Sequence, residues 1–170
     1  APSLEQARSL AQQYVNRLPE GPSLWARAEP FWQPGDSRSN LDRTIDTFAA
    51  VDATLADFIQ RARQQSQPEL LSAPLWKETR YPAYVLNNLK LYVARSLTQQ
   101  RLHEDGLALL RSLTPETLID PASYYFFRAV CENKLRLKEA GLLSTQRLLR
   151  SMQDSAPERY LVVASLMQEE

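Results

Sequence analysis

The sequence predicts an all-α fold of helical hairpins, about two and a half repeats of 35 residues packed against longer N-terminal helices. Three observations carry this. Apolar residues recur at helical spacing along almost the whole chain, strand signals such as alternating β-branched residues or Asn-Gly turns are missing, and a pentapeptide ending in Ala returns every 35 residues.

The elements follow in order. Leu4, Ala7, Leu10, Ala11, Tyr14, Val15 and Leu18 share one helix face, which predicts a helix over about 4–18. Ser3 and Gln6 can cap its start, and Pro19, Gly21 and Pro22 end it. Residues 19–39 hold four prolines and two glycines and read as a long connection, either pinned by Trp25, Phe31 and Trp32 or functional. From Asn40 to about Ser66, Leu41, Ile45, Phe48, Leu55, Ile59 and Ala62 step by helical intervals and predict one long amphipathic helix. Asp52 interrupts its apolar stripe. A carboxylate there needs a buried Tyr or Arg, or exposure at a curved face. Pro68 and Pro74 break the pattern, and Pro82 fits the first position of the next helix. Thr114-Pro115-Glu116, Asp120-Pro121 and Ser155-Ala156-Pro157-Glu158 each pair a capping residue with proline, predicting three more helix starts. Tyr124, Tyr125, Phe126 and Phe127 surround one helical turn, so this helix is expected to be buried on all sides.

The 170 residues carry 20 basic and 20 acidic side chains, with 44% hydrophobic residues. This describes one globular domain, residues 1–170, with N-terminal helices and a Pro-rich connection over 1–79 and repeats over 80–170. Residues 80–150 hold 11 basic and 6 acidic side chains, a mild excess with the charges interspersed. Cys131, the single cysteine, cannot form an internal disulfide and leaves the compartment open. No apolar run is long enough to span a bilayer. The chain starts Ala1-Pro2-Ser3 without Met, as an exported protein would after signal cleavage; a cytoplasmic location is equally compatible.

The repeat is the most informative pattern. Ala94, Ala129 and Ala164 close the segments Lys90-Leu-Tyr-Val-Ala, Tyr125-Phe-Phe-Arg-Ala and Tyr160-Leu-Val-Val-Ala. Gly106 and Gly141 follow the first two alanines by twelve residues, then Leu113 and Leu148. Two helices joined by a tight turn approach closely only where small residues meet, and a helical Gly costs about 1 kcal/mol against Ala. These spacings resemble the tetratricopeptide (TPR) repeat, a helix-turn-helix unit of about 34 residues. The likeness covers about residues 87–170. It departs from the family at Lys90, Arg128, Thr145, Leu118 and Gln153, and in a period one residue longer. The run Asp120–Ala129 also resembles a family of planctomycete bacterial proteins, which implies no particular activity.

The TPR resemblance implies that the first helix of each pair lines a groove, selecting Asn88, Leu91, Arg95 and Gln99, then Ser123, Phe126, Val130, Asn133 and Lys134. Of these, Asn88, Arg95, Gln99, Phe126, Asn133 and Lys134 are the expected partner-binding residues. The implied function is a non-catalytic interaction or scaffold module for a peptide or partner helix. Elimination agrees: Walker A, G-x-G-x-x-G, H-E-x-x-H and C-x-x-C motifs are missing, and one His with one Cys cannot build the usual zinc sets, so neither metal nor cofactor is expected. Cys131 reads as a buried thiol and His103 as a surface residue of the turn His103-Glu104-Asp105-Gly106. Two rivals stand beside this reading. One is a nucleic-acid-binding repeat using Arg95, Arg101, Arg111, Arg128, Arg136, Arg147 and Arg150. The other is a structural domain that associates through Leu161 and Leu166.

Overall fold

The computed structural model of the chain describes residues 2–64 and 68–152; the expected third repeat, with Leu161 and Leu166, and the start at 155–158 lie outside them. Every regular element among the described residues is helical, eight α-helices and four short 3-10 turns. None is long and apolar enough to cross a membrane. The described residues fall into two compact units, 2–64 and 68–152, so residues 68–79 belong with the repeat segment.

In the first unit, α1 (Leu4–Asn16) starts in a reciprocal cap. Ser3 Oγ accepts from the Gln6 amide at 3.2 Å, and Gln6 Oε1 accepts from the Ser3 amide at 2.9 Å. Its buried stripe is Ala7, Ala11, Tyr14 and Val15, with Leu10 42% exposed beside it. The expected long connection is instead mostly helical: α2 (Gly21–Ala28) and a 3-10 turn (Glu29–Trp32) occupy it. Proline at the first turn permits this, because the missing N–H has no helical partner there. Gly21 is required sterically, since a methyl group on it would stand 2.5 Å from the Val15 carbonyl oxygen. Trp25 and Trp32 are buried, and the Trp32 indole N–H donates to Thr47 Oγ1 at 2.9 Å.

The predicted single helix over 40–66 is two, α3 (Asn40–Val51) and α4 (Ala53–Ala62). Asp52 makes the break. Its backbone is extended (φ −144°, ψ 118°), and its Oδ1 accepts from the Leu55 amide at 3.0 Å, capping α4. The carboxylate that seemed to need a core partner is an N-cap, a position where Asp outcompetes continued helix. Leu41, Ile45, Phe48, Leu55 and Ile59 form the core between these helices, with Tyr14 edge-on to Phe48 at 5.5 Å.

The second unit opens with 3-10 turns at Pro68–Ser72 and Pro74–Lys77, linked by the Trp76 indole donating to the Leu70 carbonyl at 2.9 Å. It continues with α5 (Ala83–Gln99), α6 (His103–Arg111), α7 (Pro121–Lys134) and α8 (Lys138–Ser151). Asp120 caps α7 through the Ser123 amide at 3.1 Å. Thr114-Pro115-Glu116 starts only the 3-10 turn Pro115–Thr117, and Thr114 makes no side-chain cap. His103 is the first residue of α6 and Gly106 lies inside that helix, not in a turn. α7 packs on α5, α6 and α8, but of its aromatic run only Tyr124 is buried; Tyr125, Phe126 and Phe127 are half-buried.

The turns joining α5 to α6 and α7 to α8 share one backbone design. Leu102 N–H donates to the Leu97 carbonyl at 2.9 Å and Arg101 N–H to Thr98 at 3.0 Å. Leu137 donates to Glu132 at 2.8 Å and Arg136 to Asn133 at 3.1 Å. These are the paired bonds of a Schellman helix end, and its left-handed residue is Arg101 (φ 65°) in one case and Arg136 (φ 62°) in the other. The helix that follows then starts at once. Gly106 N–H donates to Leu102 and Gly141 N–H to Leu137.

Two outcomes follow for stability. Asp52→Ala should cost about 1 kcal/mol in chemical denaturation, the usual loss for an N-cap. Arg101→Gly and Arg136→Gly should each stabilise by about 0.5 kcal/mol, because glycine accepts the left-handed backbone that arginine occupies at a cost. Destabilisation by either glycine would contradict the turn geometry.

Candidate functional site

The structure distributes the expected groove residues unequally. Asn88 is fully buried, and its amide is spent at both ends: Nδ2 donates to the Tyr84 carbonyl at 2.8 Å and Oδ1 accepts from the Ile119 amide at 3.0 Å. It ties α5 to the segment entering α7 and has no face toward a ligand. Leu91 is core, and Ser123 donates to Asp120. Arg95 is half-buried with its guanidinium 4.9 Å from the Tyr92 ring centroid, while Gln99 and Lys134 are exposed. Phe126 packs partly against the Ala122, Leu148 and Met152 cluster between α7 and α8, and Asn133 is half-buried opposite Gly141. The accessible remainder is Arg95 and Gln99 on α5 with Phe126, Asn133 and Lys134 on α7.

Arg128 is engaged within the α7–α8 pair. Its Nη1 donates to the Tyr124 hydroxyl at 2.7 Å, and its Nε to Glu132 Oε2 at 3.3 Å. Glu132 is 0% exposed, and the Ser144 hydroxyl of α8 donates to its other oxygen, Oε1, at 2.5 Å. A buried carboxylate persists only with such partners. Arg128 thereby leaves the set of seven arginines considered for nucleic acid.

Cys131 is fully buried with Sγ 3.3 Å from Thr98 Oγ1. Burial pushes its thiol above the ordinary 9.0, the Thr98 contact pulls it down, and nearby Glu132 pushes it further up. A thiol kept protonated is a poor nucleophile. His103 lines a shallow depression with Arg101, Leu102, Glu104, Asp105 and Leu135. Partial burial, then the cations Lys134 and Arg101, hold its imidazole below the ordinary 6.5. Among the described residues no three His, Cys, Asp or Glu side chains are grouped to hold a metal ion.

Sequence reasoning passed over a more open cleft in the first unit, of about 520 Å³, lined by Phe31, Arg38, Asp46, Ala49, Ala50 and Arg63. The Pro-rich segment supplies Phe31 and Arg38, α3 supplies Asp46 and the two alanines, and the residue closing α4 supplies Arg63. Arg38 lies 4.4 Å from the Phe31 ring centroid. Asp46 stands between the two arginines, its Oδ1 accepting from Arg63 Nη2 at 2.6 Å and its Oδ2 3.4 Å from Arg38 Nε. No motif marks these residues; the only signal was a long connection carrying apolar side chains. Compared with protein-family models, curated proteins and solved structures, the chain finds no match.

The His103 imidazole should titrate below 6.5 in an NMR titration of its ring protons. In the window just below 6.5 the unfolded chain binds more protons than the folded one, so this residue's contribution to stability falls as pH drops through that window. A midpoint at or above 6.5 would contradict the placement beside Lys134 and Arg101.

Proposed function

We propose that the chain is a non-catalytic, TPR-like interaction module that takes a peptide or partner helix along α5 and α7. The observation that carries the reading is the pair of matching turns 35 residues apart at Arg101 and Arg136. They give α5 and α7 equivalent positions, each the first helix of a pair. That arrangement suits the repeat logic in which successive first helices line one surface. Support also comes from the accessible chemistry on those helices. Arg95 and Lys134 offer cationic donors, Gln99 and Asn133 amides, and Phe126 an aromatic edge. The mixture suits an extended chain whose backbone carbonyls and acidic groups need donors.

Selection of binders from a random peptide library, followed by titration calorimetry with the double variant Arg95→Glu/Lys134→Glu, tests this. Peptides selected on the wild type should lose at least about tenfold in affinity for the variant, as expected when two charge-assisted contacts turn repulsive. Peptides that bind both proteins equally would defeat the reading.

A further inference from the structure

We propose that the cleft of residues 2–64 is a second binding site, for a small monocarboxylate with an apolar body, free or as the C-terminal residue of a peptide. It is independent of the reading of α5 and α7, because all six lining residues belong to the first unit. With a volume of about 520 Å³ it is a shallow depression, roomy enough for a small ligand that keeps one side in solvent.

The carboxylate partner is argued from Arg38. Its guanidinium donates no hydrogen bond to any described residue; only its Nε approaches carboxylates, Asp46 at 3.4 Å and Asp36 at 3.8 Å. The two terminal amines, the edge that matches a carboxylate in two parallel bonds, are therefore unspent. Stacking on Phe31 holds that edge in place before a ligand arrives, which lowers the cost of ordering it.

Charge sets the valence. With Asp36 and its partner Arg43 counted beside the lining, three guanidiniums face two carboxylates, a single net positive charge, which balances a monoanion and falls short of a doubly charged phosphate. Asp46 competes with the ligand by occupying Arg63. The apolar requirement comes from the rest of the lining. Phe31 and the methyl groups of Ala49 and Ala50 give a ligand's body surface to bury, and a bare inorganic ion has nothing to bury against them.

Titration of the ¹⁵N-labelled full chain with N-acetylphenylalanine, N-acetylphenylalaninamide and inorganic phosphate, followed by ¹H–¹⁵N correlation spectra, tests the proposal. The acid should give saturable shifts at Phe31, Arg38, Asp46, Ala49 and Ala50, and the amide and phosphate should not. Arg38→Gln should weaken the acid at least about tenfold, the loss of one bidentate contact. Ala50→Leu should block it by adding bulk to the lining, with the dispersion of each variant's spectrum reporting that it folds. Asp46→Asn should tighten binding about threefold by removing the competing carboxylate. A peptide ending in a free Phe that binds more tightly than N-acetylphenylalanine assigns the site to chain ends, and equal affinity assigns it to small acids; both support the proposal. Absence of saturable shifts, equal response to the amide or to phosphate, or unchanged affinity in Arg38→Gln would overturn it.

Discussion

Three helices of the second unit meet at Gly106, and their spacing is set by the side chain that residue lacks. A methyl group there would stand 2.8 Å from Thr98 Oγ1 on α5 and 3.5 Å from Cys131 Sγ on α7, with the Ala94 carbonyl also at 3.5 Å. Thr98 cannot simply swing aside, since its hydroxyl donates to the Ala94 carbonyl at 2.8 Å and touches Cys131. The close approach of α6 to both neighbours therefore fixes where α7 lies, and with it the buried Glu132 one residue on. Gly141 holds the corresponding place in α8, where a methyl group would overlap the Asn133 side chain of α7, with Cγ at 3.1 Å and the Asn133 backbone N at 3.5 Å. The first contact joins three helices and the second only two, although the sequence writes them alike.

That difference shows what was legible beforehand. The helical class, the cap at Ser3, the cap at Asp120 and the Ala94–Gly106 pairing follow from residue type and spacing, because each is decided within a few residues or by a volume constraint. Asp52 was visible as an anomaly but not as a boundary: periodicity continues across it, since α3 and α4 both turn apolar residues toward one core. The helix inside 19–39 was hidden by its prolines, which favour the first turn as readily as a loop. Asn88 was assigned a ligand-facing role by position alone, whereas its burial depends on Ile119, more than thirty residues distant, offering an unpaired amide. No local pattern carries that information.

The cleft beside α3 was illegible for a related reason. Its chemistry joins a 3-10 turn, a loop, the middle of one helix and the end of another, so Phe31, Arg38, Asp46 and Arg63 form no run. What assembles them is burial of their neighbours. Trp32 turns inward to Thr47 while Phe31, next in line, turns outward, and the Asp52 break brings the end of α4 back to Asp46. The contact between Arg63 and Asp46 exists because two helices replace one; a continuous helix over 40–66 would carry these residues about 25 Å apart.

The placement of the three tryptophans divides the molecule optically. Trp25 and Trp32 are sealed in the core of residues 2–64, and Trp76 is the only indole in the second unit, half-buried beside Lys90. Intrinsic fluorescence therefore weighs the first unit most heavily, whereas helical dichroism weighs both. Melting curves recorded by the two methods coincide only where the units unfold together, so their separation measures the coupling between the halves of the chain without any label.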